Sequence, residues 1–292
     1  MKALILGGNR FFGKRLVQKL INQNYEVTLL NRGNTDDGFR DQVQRIKCDR
    51  NSKTDLSTAL ASNEWDIVFD QICYDYQTAK DSCEVFKDRT TKYIFTSSKS
   101  VYLPGNNLKE DDFKAINHKF SDFADKDSNY AEAKRQAEVA FGEFASFPVT
   151  SVRFPIVIGD DDYTKRFHFH INRVKQSKEI YFPNLEALIT FIDANSAAES
   201  LLFLGRSDYN GPINCASPDS ISLKSFMAMI EKEANKPTVY AQEETTENHS
   251  PYGIEENWYM NCQKMQSIGL HLPTLSEWLP QLIKQEVNNE TR

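Results

Sequence analysis

The sequence predicts an α/β fold: a doubly wound, mostly parallel Rossmann-type sheet, with a smaller C-terminal α/β region packed beside it. Three observations carry this. Short apolar runs alternate with amphipathic windows through the first half of the chain, the rhythm of a parallel sheet with helices on both faces. The first run ends in glycines and turns straight into a helical pattern. After Pro155 the texture changes to short strands mixed with helices.

Taken in order, Ala3-Leu4-Ile5-Leu6 is a buried strand, and Gly7-Gly8-Asn9-Arg10-Phe11-Phe12-Gly13 is the turn that follows it. Leu16, Val17, Leu20 and Ile21 then mark a helix over Gly13–Gln23. Val27–Leu30, Ile67–Phe69 and Tyr93–Phe95 read as short buried strands, with Gln44–Lys47 a weaker one; helical windows at Asp55–Ala61 and Gln77–Lys87 lie between them. Leu103–Asp127 is polar and aperiodic, a surface excursion that is either a lid or a decoration. Ser128–Phe144 is a longer helix and Val149–Phe154 the strand after it. Beyond Pro155 we expect strands at Ile180–Phe182 and Leu188–Ile192, helices at Ala194–Leu204, Leu223–Ala234 and Thr274–Gln285, and an acidic loop at Tyr240–Glu256. Residues 1–155 are therefore read as a nucleotide-binding unit to which segments around 189–216 return, and residues 156–292 mainly as a substrate-binding region.

With 292 residues the chain can bury a large core. The opening Met-Lys-Ala-Leu-Ile-Leu resembles a leader peptide, but the Gly-Gly-Asn-Arg turn breaks it too early, so we read a strand. No apolar run approaches the ~18 residues of a membrane helix. Five scattered cysteines with no Cys-x-x-Cys spacing argue against a disulfide framework or a zinc site and for the reducing cytoplasm. A net charge of −6 disfavours nucleic acid as a partner, since that binding rests on neutralising phosphates.

A strand that ends in glycines and opens a helix aims backbone N–H groups and a positive dipole end at one spot, which suits a pyrophosphate. The candidate cofactor contacts in this turn are Gly7, Asn9, Arg10, Phe11, Phe12 and Gly13. At the end of the second strand, where NAD sites place a carboxylate on the ribose, this chain has Asn31 and Arg32. Asn does not repel a 2′-phosphate and Arg can bond it, so NADP is weighed slightly over NAD. The strand at Tyr93 runs on into Thr96-Ser97-Ser98, hydroxyls at the crevice end of a parallel sheet. Tyr130 and Lys134, four residues apart, share a helix face in the next helix. A second such pair, Tyr76 and Lys80, opens a helix before that strand, which makes Tyr130 the better candidate. A phenol ordinarily loses its proton near pH ~10, and an adjacent ammonium makes it a usable base. Ser98 would hold the reacting oxygen, Tyr130 move the proton, and Lys134 tune it and bind the nicotinamide ribose.

With these residues in place the chain resembles an extended short-chain dehydrogenase/reductase of the NAD-dependent epimerase/dehydratase family over nearly its whole length. Ser151–Gly159, Phe191–Ala198 and Pro212–Ser217 resemble the family's later strands and junctions. The resemblance implies Asp49 beside the adenine, Ile72-Cys73-Tyr74 along the cofactor where small residues are usual, hydride transfer at a carbon of a sugar nucleotide or related small molecule, and a homodimer paired through the Ser128–Phe144 helix. The chain also departs from the pattern. Arg10 replaces the middle glycine, and the Gly-Gly-x-Arg-Phe turn is similar to that of a branch with chloroplast RNA-associated homologues. Lys99-Ser100 stands where sugar-nucleotide dehydratases carry an acidic pair, and Ile156 where epimerases often carry Asn. The alternative function is therefore a dinucleotide-sensing or RNA-associated protein on the same fold. Among other candidates, His168 and His170 do not share a helix face and do not suggest a metal. Arg166 and Arg173 are either phosphate grips or a solvated face, Asp160–Asp162 is a helix-start cluster, and Trp258 and Trp278 are packing residues.

Overall fold

In the computed structural model, which describes residues 1–61 and 63–289, alternating apolar residues become opposite faces of one sheet. The first half contains β1 (Lys2–Leu6), α1 (Phe11–Asn22), β2 (Glu26–Asn31), β3 (Gln44–Lys47), α2 (Lys53–Leu60), β4 (Trp65–Asp70), α3 (Tyr76–Val85), β5 (Thr90–Ser98), β6 (Gly105–Leu108), α4 (Lys126–Phe144) and β7 (Val149–Phe154). The second half adds β8 (Ile156–Ile158), α5 (Arg166–Lys175), β9 (Glu179–Ile180), β10 (Leu188–Ile189), β11 (Phe191–Asp193), α6 (Ala194–Arg206), β12 (Gly211–Asn214), β13 (Ile221–Ser222), α7 (Leu223–Ala234), β14 (Val239–Tyr240), β15 (Trp258–Met260), α8 (Gln263–Ser267) and α9 (Leu275–Asn288).

Seven strands form one parallel sheet in the order β12–β7–β5–β4–β1–β2–β3. Ala3 and Ile5 of β1 face the layer that contains Leu16, Val17 and Leu201 of α1 and α6. Leu4 and Leu6 face the opposite layer, with Leu56 of α2, Cys83 of α3 and Phe141 of α4. The winding reverses between β1 and β4, and the carboxyl ends of these two strands open a crevice there. A third apolar cluster, around Phe167, Phe191, Phe226 and Tyr252, builds the C-terminal region. Among the described residues no helix is long and apolar enough to cross a membrane. All five cysteines are buried free thiols.

The structure moves several expected boundaries. β5 continues to Ser98 because β7 pairs with it to the end, Ser98 opposite Phe154. The Leu188–Ile192 run is two strands, since β10 joins a small sheet with β13 and β15 while β11 pairs with β8. The expected Ile180–Phe182 strand is reduced to Glu179–Ile180, paired with β14. The long helix is interrupted at Asn129 (φ −157°, ψ 87°) and restarts at Tyr130.

The excursion after β5 is anchored along its length. β6 pairs with β15, and the carbonyls of Glu110 and Phe113 accept from the Arg153 guanidinium at 2.9 and 3.1 Å. Gln136 of α4 clasps the Asp122 carbonyl and the Ala124 N–H, each at 2.9 Å. Arg153 is fully buried and forms a two-pronged ion pair with Glu138, at 3.0 and 2.6 Å. Removing one partner from such a pair costs about 3–5 kcal/mol, because the other charge is left without compensation. The excursion is thus part of the domain's internal bonding. It also lays Phe120 and Phe123 against Tyr76 at the start of α3.

Candidate active site

The crevice at the carboxyl ends of β1, β4 and β5 holds a cleft of about 710 Å³. Its floor is the first turn. Gly7 and Gly8 adopt φ of +99° and +78°, open to glycine and strained for other residues. A Cβ on Gly13 would lie 2.0 Å from Gln71 Oε1, the end of a flexible side chain, and 3.2 Å from Gly8 Cα, so a methyl there would displace Gln71 and crowd the turn. The N-cap residue Arg10 gives α1 no side-chain cap. Among the described residues the helix's first N–H groups therefore have no side-chain acceptor, an arrangement that fits the diphosphate of a dinucleotide. Phe11 is held at φ +50°, a strained value for a bulky residue.

Among the residues singled out, Gly7, Asn9, Arg10, Phe11, Phe12, Gly13, Asn31, Arg32, Asp49, Ile72, Ser98, Tyr130 and Lys134 line this cleft, and Cys73 does not. Their roles differ in detail. Arg10 bridges the mouth, donating to Thr35 Oγ1 at 3.2 Å and lying 5.5 Å from the centre of the Tyr163 ring. Asn31 accepts from the Gly33 N–H at 2.8 Å and so shapes the turn that carries Arg32. Asp49 accepts from the Asn51 N–H at 3.0 Å. Ile72 packs on the glycine turn, its Cγ2 3.2 Å from where a Gly7 Cβ would stand. The cleft continues past Arg32 into a groove of about 380 Å³ that Lys47 also lines.

Ser98 closes β5, its Oγ accepting from the Ser100 N–H at 3.1 Å. Ser97 beside it is committed to Glu138 at 2.6 Å. The Asn129 side chain accepts from the Glu132 N–H at 3.1 Å, acting as a second cap that starts the helix afresh at Tyr130. Tyr130 is 39% exposed at the cleft. One turn on, Lys134 is buried, with Nζ donating to the carbonyls of Cys73 (2.6 Å) and Thr96 (2.8 Å) and standing 6.0 Å from the centre of the Tyr130 ring. Two of its three N–H donors are thus accounted for. Tyr74 also packs here, 4.7 Å from the Lys134 ammonium, and burial pushes its phenol well above the usual range. The competing pair lies elsewhere: Tyr76 packs on Phe120, Phe123 and Phe144, and Lys80 lies over Phe144.

Beneath the cleft, buried Asp70 at the end of β4 accepts from the Ile72 N–H (3.0 Å), from Tyr93 (2.6 Å) and from Arg50. This network fixes the loop that carries Gln71 and Tyr74. Sequence reasoning missed Gln71 as a lining residue, and its Nε2 is buried without a hydrogen-bond partner among the described residues. It also missed Asp162. Asp160 and Asp161 pair with Arg15 at 2.7 and 2.6 Å on the outside, whereas Asp162 is fully buried against the cleft. Nothing in a run of three identical residues marks the inward one. Arg166 lines the cleft, while Arg173 is spent on the carbonyls of Glu179 and Glu247. The two histidines diverge. His170 meets Ser250 Oγ at 2.8 Å, with burial depressing its pKa to about 3, and His168 lies 3.0 Å from Glu286.

A parallel sheet with its crevice lined by a glycine turn, and with serine, tyrosine and lysine facing it, defines a dinucleotide-binding α/β protein. The family model of the NAD dependent epimerase/dehydratase family matches residues 3–216, and the chain belongs to that family. Among solved structures it is similar to UDP-glucuronic acid 4-epimerase of Bacillus cereus in complex with NAD (TM-score 0.76, 20% identity, 99% of this chain and 98% of that one). It is also similar to the NAD complex of Thermus thermophilus UDP-glucose 4-epimerase (TM-score 0.73, 17% identity, 99% and 98% covered). A curated relative, the chloroplast stem-loop binding protein of 41 kDa b of Arabidopsis thaliana, is 26% identical over 196 residues, 63% of this chain. The chain matches about half (49%) of that relative's length.

Proposed function

We propose that the protein is an NAD(P)-dependent oxidoreductase or epimerase acting at a carbinol or carbonyl carbon of a sugar nucleotide or related small molecule. The observation that carries this reading is the convergence of Ser98, Tyr130 and Lys134 on the cleft that also contains the glycine turn. Gly7, Gly13 and the start of α1 would hold the diphosphate, and Lys134 the nicotinamide ribose through its remaining donor. A nicotinamide held there would supply the hydride acceptance and return that such chemistry requires. Ser98 Oγ hydrogen-bonds the substrate oxygen, and Tyr130 Oη takes the proton of a carbinol and gives it back to a carbonyl. Lys134 Nζ favours the charged phenol by proximity.

Arg32 and Lys47 line the side groove together with Asp49 and Asp55; the two cations support a 2′-phosphate there and NADP over NAD, and the two carboxylates oppose it. The five free thiols support a reducing compartment. A second reading, a dinucleotide-sensing or RNA-associated protein, is favoured by the stem-loop binding relative and by Arg10 over the cleft mouth; the net charge of −6 opposes it.

The test is Tyr130→Phe, assayed with UDP-glucose and UDP-glucuronic acid. Turnover falls by about 100-fold or more, while calorimetry finds cofactor affinity unchanged. Unaltered turnover refutes the assignment of Tyr130. RNA binding at physiological salt with no conversion of either sugar nucleotide favours the second reading.

A further inference from the structure

Lys134 is only 2% exposed, and among the described residues it makes no ion pair. A buried charge ordinarily needs a counter-ion. The carboxylates around it are bound to other groups. Glu138, one turn on in α4, pairs with Arg153 at 2.6 Å. Asp70 at the end of β4 pairs with Arg50, and Asp75 caps α3 by accepting from the Thr78 N–H at 2.8 Å. Burial pushes the Cys73 thiol up to about 12 and raises the Tyr74 phenol as well, so neither is an anion at neutral pH. Besides the carbonyls of Cys73 and Thr96, the ammonium meets two rings, with the centres of Tyr74 and Phe95 lying 4.7 and 4.8 Å from Nζ. An ammonium is drawn to the negative face of an aromatic ring, most strongly where water is excluded. Phe95 belongs to the core in any case. Tyr74 comes from the loop after β4 and is half-buried at the cleft, and its ring stands nearer to Lys134 than the Tyr130 ring does, at 6.0 Å.

Resting on the functional reading above, we infer that Tyr74 is a positioning residue whose ring face takes the place of the missing counter-ion and holds the Lys134 ammonium charged beside Tyr130. It acts through Lys134 alone. The ring supplies the effect and the hydroxyl does not, so phenylalanine serves as well and an aliphatic side chain fails. Without the ring the buried amine gives up its proton more readily. Tyr130 then loses its neighbouring positive charge, and its ionised form needs a higher pH.

The experiment measures kcat and KM for UDP-glucose across pH, with NAD present, for wild type, Tyr74→Phe and Tyr74→Leu. In wild type kcat should rise with pH to a plateau as Tyr130 ionises. Tyr74→Leu should displace that rise upward by about half a pH unit or more, a loss of about threefold or more in kcat on the rising limb. Its plateau and KM should stay within about twofold of wild type, and Tyr74→Phe should retrace the wild-type profile. Tyr74→Met gives the same comparison should the leucine variant fail to fold. A rise at the wild-type pH in the aliphatic variant, an equal loss of kcat at every pH, or a change confined to KM would each overturn the role while leaving the proposed function standing. A Tyr74→Phe profile displaced as far as the leucine one would assign the effect to the hydroxyl and overturn it too. Binding of NAD by wild type with no turnover of UDP-glucose or UDP-glucuronic acid would instead overturn the functional reading, and this role with it.

Discussion

Gly13→Ala, taken alone and with Gln71→Ala, tests whether the glycine turn is held by lack of space. The added methyl would sit 2.0 Å from Gln71 Oε1 and 3.0 Å from its Cδ, far inside van der Waals range, and 3.2 Å from Gly8 Cα. Overpacking of this kind costs about 1–3 kcal/mol. Alanine in place of glycine in a helix returns about 1 kcal/mol, so the single variant should lose about 0–2 kcal/mol. Gln71→Ala alone should be nearly neutral, because its buried amide nitrogen bonds to nothing among the described residues. In the double variant the methyl crowds only the backbone of Gly8, and a shift of a few tenths of an ångström relieves it. The two changes should therefore couple by about 1–2 kcal/mol in a double-mutant cycle from urea unfolding. NAD calorimetry should follow the same pattern, with affinity falling in Gly13→Ala and recovering in the double variant. If Gly13→Ala alone stabilises the protein and binds NAD like wild type, the close approach of helix and strand is not what the glycine provides.

Two further outcomes are expected. Arg32→Ala should weaken NADP by about tenfold and leave NAD within about twofold; equal losses would make Arg32 a bystander. Lys99 is buried against Trp258, with Nζ donating to that residue's carbonyl at 3.0 Å, and burial depresses its pKa from 10.5 to about 7. Between those two values the unfolded chain binds the proton and the folded chain does not, so this group's contribution to stability rises with pH from about 7 towards 10.5. Below about 7 the full cost of the buried ammonium is present. Lys99→Met should raise the melting temperature most at acidic pH and flatten that slope, and an unchanged pH profile would show that Lys99 escapes to water.

The short apolar runs and helical patterns of the first half were legible because burial on both faces of a parallel sheet leaves near-continuous apolar runs, and the glycines after β1 because they end the first of these. Asn31, Arg32, Ser98 and Tyr130 were legible from where they stand relative to strand ends, since a parallel sheet gathers its carboxyl ends at one crevice. Helix α4 was legible as an element but not its break at Asn129, because an internal cap depends on one side-chain bond. The split of Leu188–Ile192 was not legible, since the partner strands that divide it come from distant parts of the chain. What the sequence determined by itself was local: the elements, their order, and the residue types at the strand ends. Tertiary structure alone decided which of three consecutive aspartates turned inward, that Gln71 fills the space left by Gly13, and that the excursion is bonded to Arg153. Each of those outcomes joins residues far apart in sequence, set by volume and charge balance that no local pattern encodes.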